Sequence, residues 1–301
     1  MLPYNSLNAH LRGVFGGRVR KIALDAGFTC PNRDGTVGMG GCTYCDASGS
    51  GPGSATVLSV REQICAGVER AKGSTFAGFL AYFQAFSNTH ASPSHLRELY
   101  AEALDHPAIL GLDIATRPDC LDDDVLDVIE VFHRQTYLWL EIGLQSACDA
   151  TLRRINRGHT ANDFIDAVKR ARSRGIRVCV HVIFGLPGES RDETLETIRL
   201  VADLRVEGIK FHNLYLVPGT VMHQQITDSG ERLMSREAYA DLVADALEML
   251  PHDTIIHRLT GDPPRGIPAI PEWAADKHGT IGQITATMTR RGTIQGSHHL
   301  S

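Results

Sequence analysis

Residues 19–45 read VRKIALDAGFTCPNRDGTVGMGGCTYC. The apolar run at 19–25 predicts a β-strand, which leads directly into a loop with five glycines between Gly27 and Gly41. Glycines let such a loop wrap closely around a bound group and take up positive φ where the path requires it. The same loop carries Cys30, eleven intervening residues, Cys42, two more, and Cys45. Thiolates are soft ligands suited to zinc, copper(I) or iron-sulfur clusters. A structural zinc site is almost always closed by four protein ligands, and no further cysteine or histidine lies between Cys45 and Cys65. A cubane cluster on three cysteines leaves one iron open to chemistry. On these residues alone, two alternatives stand beside it: a zinc loop that borrows a distant ligand, and three unrelated cysteines in a glycine-rich turn.

Outward from this loop, short apolar runs alternate with longer amphipathic ones, the pattern of repeated β-α units on a parallel sheet. Strands are predicted over 19–25, 79–84, 109–115, 137–143, 178–184 and 209–217. Helices are predicted near 59–72, 93–104, 122–135, 161–174, 191–204 and 236–250. Ser92, Asp122 and Ser190 stand where helix N-caps belong, and Gly175 and Gly208 where residues just past a helix belong. Six such units curve into an α/β partial (β/α)6 barrel, with the loops that follow the strands on one rim. The rhythm stops near Pro251, and Pro263, Pro264, Pro268 and Pro271 predict an irregular extension ending in a helix over 272–288. The expected division is a core over 1–218 and an extension over 219–301 that closes the barrel.

The 301 residues are 43% hydrophobic and 22% charged with a net charge of -5, enough for one large core and unlike a disordered acidic chain or a globally basic nucleic-acid binder. A nucleic-acid substrate has to meet a local basic patch. The run Lys169, Arg170, Arg172, Arg174 and Arg177 offers one, or is simply a solvated helix face. No stretch reaches the 18 apolar residues of a membrane span and no signal peptide is read. An odd count of seven cysteines argues for the reducing cytoplasm over a disulfide framework. Cys65, Cys120, Cys148 and Cys179 are each expected to be small buried residues.

In the predicted fourth strand Trp139, Glu141, Gly143 and Gln145 share one face by the period of two. A buried carboxylate there needs a partner, and a salt bridge to a neighbouring arginine, Arg117, is one reading. The other comes from a resemblance. DAGFTCPNRDGTVGMGGCTYC, followed in order by FQAFSNT (83–89), TRPDCL (116–121), EIGLQS (141–146), INRGHT (155–160), FGLPGE (184–189) and HRLTGD (257–262), resembles the bacterial YhcC/YtqA-type family of radical S-adenosylmethionine (SAM) enzymes. That family is related to the elongator catalytic subunit, which has a similarly long first cysteine spacing, and to oxygen-independent coproporphyrinogen dehydrogenase.

The resemblance implies a radical SAM barrel with a [4Fe-4S] cluster on Cys30, Cys42 and Cys45, and SAM on the fourth iron. A flavodoxin or ferredoxin supplies the electron that yields a 5′-deoxyadenosyl radical. It places Glu141, Gln145 and Ser146 against SAM, and Gly185, Leu186 and Pro187, with Gly188, against its adenine. FQAFSNT stands where many members carry a GGE-like motif, so Gln84, Ser87 and Asn88 become the candidates for the SAM ammonium. Arg154 is a candidate for the SAM carboxylate, while Arg157, His181, His212, His257 and Arg258 are substrate candidates. The implied substrate is tRNA, at a wobble uridine whose carboxymethylaminomethyl group becomes aminomethyl; a small metabolite is the alternative. Outside catalysis, the competing classes are an iron-sulfur electron carrier, which would want four cysteines, and a zinc-stabilised binding module.

Overall fold

A computed structural model of the chain describes residues 2–49, 58–264 and 266–299. Its seven strands are β1 (Val19–Leu24), β2 (Gly78–Phe83), β3 (Ile109–Thr116), β4 (Tyr137–Gln145), β5 (Val178–Phe184), β6 (Gly208–Asn213) and β7 (Ile255–Arg258). All neighbours pair in parallel, in sequence order from β1 to β7, and the sheet curls into a half-barrel. The helices are α1 (Leu7–Phe15), α2 (Val60–Glu69), α3 (Pro93–Leu104), α4 (Asp123–Gln135), α5 (Asp149–Arg154), α6 (Ala161–Ser173), α7 (Arg191–Asp203), α8 (Val221–Ser229), α9 (Arg236–Met249) and α10 (Lys277–Arg291).

The alternation along β4 sets the two layers. Leu138, Leu140, Ile142 and Leu144 point outward into the main core with Val125, Ile129, Phe164 and Val168 from the helices, while Trp139 points inward to a smaller cluster with Leu7, Leu11, Leu80, Cys179 and Ile255. That inner cluster is the floor of the barrel. Helix α1 packs on both β1 and β7, the two edge strands, and Asn5 receives the Ile256 N–H at 2.7 Å, so the helix bridges the gap the open sheet leaves.

The predicted N-caps hold: the Ser92, Asp122 and Ser190 side chains accept from the N–H groups of His95, Val125 and Glu193. Gly175 takes φ 76° just past α6. Gly208 does not play that part. It opens β6, and the left-handed position after α7 is Arg205 at φ 47°. Gly208 is required for space, since a Cβ there would lie 2.9 Å from the His257 ring and 3.1 Å from the Trp139 ring. Strand β6 also ends at Asn213, four residues before the predicted limit, because Leu216 leaves the sheet to bridge Ile270. The segment after 218, expected only as a closing extension, supplies the seventh strand. Helices α1, α5 and α8 were not predicted.

Leu11 is 3% exposed within the floor cluster. Leu11→Ala should therefore cost about 2–5 kcal/mol of stability in urea unfolding; a loss well under 1 kcal/mol would mean that α1 does not seal the floor.

Candidate functional site

The cysteine loop lies between β1 and α2 and is tied down by the segment that follows α5. The Cys30 carbonyl accepts from the N–H groups of Arg33 and Asp34, and the Cys45 N–H donates to the Cys42 carbonyl at 3.0 Å. The Thr43 N–H donates to the Ile155 carbonyl at 3.0 Å, and the Asn156 amide to the Gly41 carbonyl at 2.8 Å. The Asn32 amide reaches back to the Asn156 carbonyl and also points at Cys42 Sγ, 3.8 Å away. Gly38 is needed here because a Cβ would come 2.3 Å from Asn32 Oδ1. Arg157 donates from Nη1 to Cys42 Sγ (3.6 Å) and from Nη2 to the Gly143 carbonyl (2.8 Å). Burial alone would raise the Cys42 thiol, but the Arg157 and Arg117 guanidinium charges bring it below its ordinary value. The thiolate form that a metal group needs is thus favoured at Cys42, whereas burial and the Cys42 charge push the Cys45 thiol up to about 11.

All three cysteines line a cavity of about 950 Å³ inside the half-barrel. Among the described residues, the one set of His, Cys, Asp and Glu donor atoms within 4.8 Å of one another is Glu141, Cys179 and His257. The three loop thiols therefore do not all lie within 4.8 Å of one another, as three thiolates on one zinc would at about 2.3 Å per bond. On the same wall, Ser87 Oγ and Gln145 Oε1 are buried without a hydrogen-bond partner. Gln145 lies on the inward face by the strand's alternation and lines the cavity, with φ 72° at the point where the register with β5 slips between Gly143 and Gln145. Orphaned buried oxygens are costly unless a ligand meets them. The residues present thus fit both a cluster and a polar ligand beside it.

Beneath them lies an ionic group that sequence reading missed except for Glu141. Lys21 Nζ contacts Asp113 and lies 2.9 Å from Glu141 Oε1; Lys210 Nζ lies 2.7 Å from Glu141 Oε2; Tyr82 donates to Glu141 Oε2 at 2.8 Å. Burial would raise Glu141, yet Lys21 and Lys210 hold it well below the ordinary carboxylate range. Burial and the Glu141 charge push Asp113 up to about 7 against the pull of the lysines. Burial lowers Lys210. A lone lysine inside an apolar strand, as in GIKFHN and VRKIAL, is the signal that would have found these residues, because lysine is almost never fully buried without a partner. The expected Arg117 to Glu141 bridge is absent: Arg117 instead grips Asp119 and the Arg157 carbonyl.

The remaining candidates divide. Gln84, Ser87, Glu141, Gln145, Arg157, His181, His212, His257 and Arg258 line the cavity. Ser146 Oγ instead donates to Glu189, Arg154 Nη1 to the Pro187 carbonyl at 2.7 Å, and Asn88 Nδ2 to the Ala115 carbonyl at 2.8 Å. Leu186 packs in a cluster with Leu152, Ile155 and Leu214, and Gly185 carries φ 87°. Arg157, expected to face a substrate, is 7% exposed and committed to Cys42, Gly143 and His159. His181, His212 and His257 are held below the ordinary imidazole value, first by burial; His212 falls to about 3 and His257 to about 4.

Of the two readings of the basic run, the pairing favours the helix face: Arg170 pairs with Asp166 and Asp123, Arg172 with Glu207, and Arg174 with Asp123 and Asp127, while Arg177 covers the Tyr137 ring and Lys169 is exposed. One expectation is corrected. Cys65 is exposed, because α2 turns Val60, Ile64 and Gly67 inward and leaves it off that face, and Cys148 is only half-buried, with Sγ 3.6 Å from Glu193. Cys120 and Cys179 are buried as expected.

With a parallel half-barrel, a three-cysteine loop after β1 and a cavity at the rim in place, the comparisons agree. The chain belongs to the radical SAM superfamily, whose model matches residues 30–201, and residues 206–290 match the radical SAM C-terminal domain. Within that superfamily the chain is similar to YtqA of Bacillus subtilis (44% identical, 97% of this chain and 92% of the relative) and to YhcC of Escherichia coli K12 (37%, 97% and 94%). In fold it is similar to the Methanocaldococcus infernus Elp3 with an N-terminal deletion, with a TM-score of 0.68 at 16% identity over 92% of this chain and 64% of that one. The chain is accordingly an enzyme of radical SAM chemistry that uses a [4Fe-4S] cluster and SAM and requires a reductant. Among the described residues no helix is long and apolar enough to cross a membrane.

Two outcomes follow. Cys42→Ala, or the same change at Cys30 or Cys45, should abolish dithionite-dependent 5′-deoxyadenosine formation after anaerobic reconstitution, whereas Cys65→Ala should retain it. Retained activity in Cys42→Ala would remove the loop from the chemistry. The second concerns Asp113, whose folded pKa of about 7 lies above the 3.8 of the free group. The native state therefore binds the extra proton between those values, and this stabilisation, complete below pH 4, is lost as pH rises to 7. Measured against Asp113→Asn in urea, the wild type should lose more than about 1 kcal/mol between pH 5 and 8; a constant difference would place the proton elsewhere.

Proposed function

We propose that this enzyme holds its cluster on Cys30, Cys42 and Cys45, binds SAM along Gln84, Ser87 and Gln145, and acts on tRNA, converting the carboxymethylaminomethyl group of a wobble uridine to aminomethyl. The observation that carries the reading is the cavity. At about 950 Å³ it sits at the upper end of ligand pockets, with room for SAM and a second group, and its lining reaches from the cysteine loop to Pro264. When bound and supplied with one electron, for which a flavodoxin or ferredoxin is the proposed donor, the cluster and SAM would supply hydrogen abstraction from an unactivated carbon, with methionine as the other cleavage product.

The chain's own residues do the rest. Arg157 and Asn32 steady the Cys42 thiolate. Gln145 and Ser87 offer oxygens to an ammonium. The floor cluster keeps the interior closed to water from below. A base extruded from an RNA loop can enter from the rim, where Arg153 and Arg154 are exposed beside the 184–189 turn. The similarity to Elp3 supports the barrel reading at the level of fold.

Nucleoside mass spectrometry of digested tRNA from a deletion strain tests the reading. Accumulated carboxymethylaminomethyluridine with loss of its aminomethyl product is the expected result; an unchanged nucleoside profile would assign the cavity to a small metabolite.

A further inference from the structure

The last strand breaks its own alternation. Ile255 faces the floor cluster, Ile256 faces the helices, and His257 faces inward against the Trp139 ring at 4.4 Å. Arg258 should then face the helices. It lines the cavity instead, and only Leu259 returns to the outer core. The cause is in the register: Ile209 pairs with Ile256 but Lys210 with Arg258, so β7 carries one extra residue and both His257 and Arg258 turn inward. Bulges are the usual device for re-aiming one side chain beside a site.

Arg258 also carries a charge that no close carboxylate matches among the described residues. Lys21 and Lys210 are matched by Asp113 and Glu141. Arg258 stands apart from that group. Its Nε lies 3.5 Å from the Phe211 carbonyl and its Nη2 lies 3.3 Å from His181 Nε2, a neutral acceptor. Among the described residues it ion-pairs with one carboxylate, Asp262, at 3.9 Å, and that group is 57% exposed and already holds Lys277 Nζ at 2.8 Å. The Arg258 side chain itself is 17% exposed. A guanidinium turned into a cavity without a close carboxylate of its own leaves planar, paired donors facing the space a substrate would fill. The shape suits a carboxylate.

We propose that Arg258 is a substrate-specificity residue that pairs with a carboxylate carried by the substrate's substituent, with His181 and His212 as neutral walls beside it. The assignment rests on the tRNA reading only for the identity of that substrate. Two other anions could reach a guanidinium: the SAM carboxylate, which the SAM-loaded enzyme of the test below already holds in place, and an RNA phosphate, which belongs to the backbone at the rim, whereas Arg258 pairs in register with Lys210 inside the barrel.

The test uses the reconstituted, SAM-loaded enzyme as wild type, Arg258→Gln and Arg258→Lys, with N-methylglycine, its methyl ester and inorganic phosphate as probes, and binding read by ligand-detected NMR. Wild type should bind N-methylglycine saturably and its uncharged ester at least tenfold more weakly. Arg258→Gln should lose that discrimination, and Arg258→Lys should recover part of it. A merely structural role for Arg258 would weaken acid and ester alike. Equal binding of N-methylglycine by wild type and Arg258→Gln, or no binding by either, overturns the proposal, as does phosphate binding tighter than N-methylglycine in an Arg258-dependent way.

A parallel arm complements the deletion strain with wild type or Arg258→Gln and reads its tRNA nucleosides. If wild type leaves tRNA unchanged while N-methylglycine binding depends on Arg258, the tRNA reading falls and the carboxylate anchor stands. If Arg258→Gln restores the nucleosides as fully as wild type, the anchor falls and the tRNA reading stands.

Discussion

Glu141 lies at the centre of the barrel, with a lysine on either side and a tyrosine hydroxyl on one oxygen. Taking these charges out of water costs several kcal/mol each, and the cost is offset only when partners sit at close range with good geometry. The requirement constrains five strands at once, because Lys21, Tyr82, Asp113, Glu141 and Lys210 come from β1, β2, β3, β4 and β6. Sliding any of these strands by one residue would turn its charged member into the helix layer and strand the others. Hydrophobic packing outside the sheet tolerates substitution of similar volume; the ionic group inside does not tolerate a change of register. The cavity above inherits its shape from this restriction.

Among the described residues, two of the sheet's three register shifts lie against that rigid background, the third being at the start of β2 and β3. One in β4 sits beside Gln145, which lines the cavity, and one in β7 sends Arg258 inward. Each adds one residue to a strand whose neighbours are fixed by the buried charges, so the extra residue has to be accommodated locally. The effect is that polar side chains appear at the rim end of strands whose lower halves remain regular and apolar.

How much of this was legible in the sequence depended on whether the signal was local. Six strands, seven helices, three N-caps and the cysteine loop announce themselves through period, cap chemistry or spacing. Strand β7 does not: IIHR is four residues long and lies in a proline-rich stretch, and its pairing with β6 is a tertiary fact. The partners of Glu141 were missed for a similar reason, since a period of two says which residues share a face but not which faces meet across a closing sheet. The Arg170 to Arg174 run left two readings open. Its acidic partners sit on α4, on its own helix and beside β6, so charge counted along one helix does not give the field that a ligand would feel.

The bridge made by α1 places a demand on the order in which the molecule assembles. The Asn5 N–H is held by Gln295 Oε1, and the Gln295 N–H is held by the Pro3 carbonyl, contacts that join positions 290 or more residues apart. During synthesis the strands can pair one after another as they emerge, each with the one before. The helix over the base of the barrel has no second edge to rest on until residues near 256 and 295 have left the ribosome. Until then the inner face of Trp139 and Leu80 is open to water, and the closing contacts join the two ends of the chain. The nascent barrel is therefore most exposed to misassociation in its final stage.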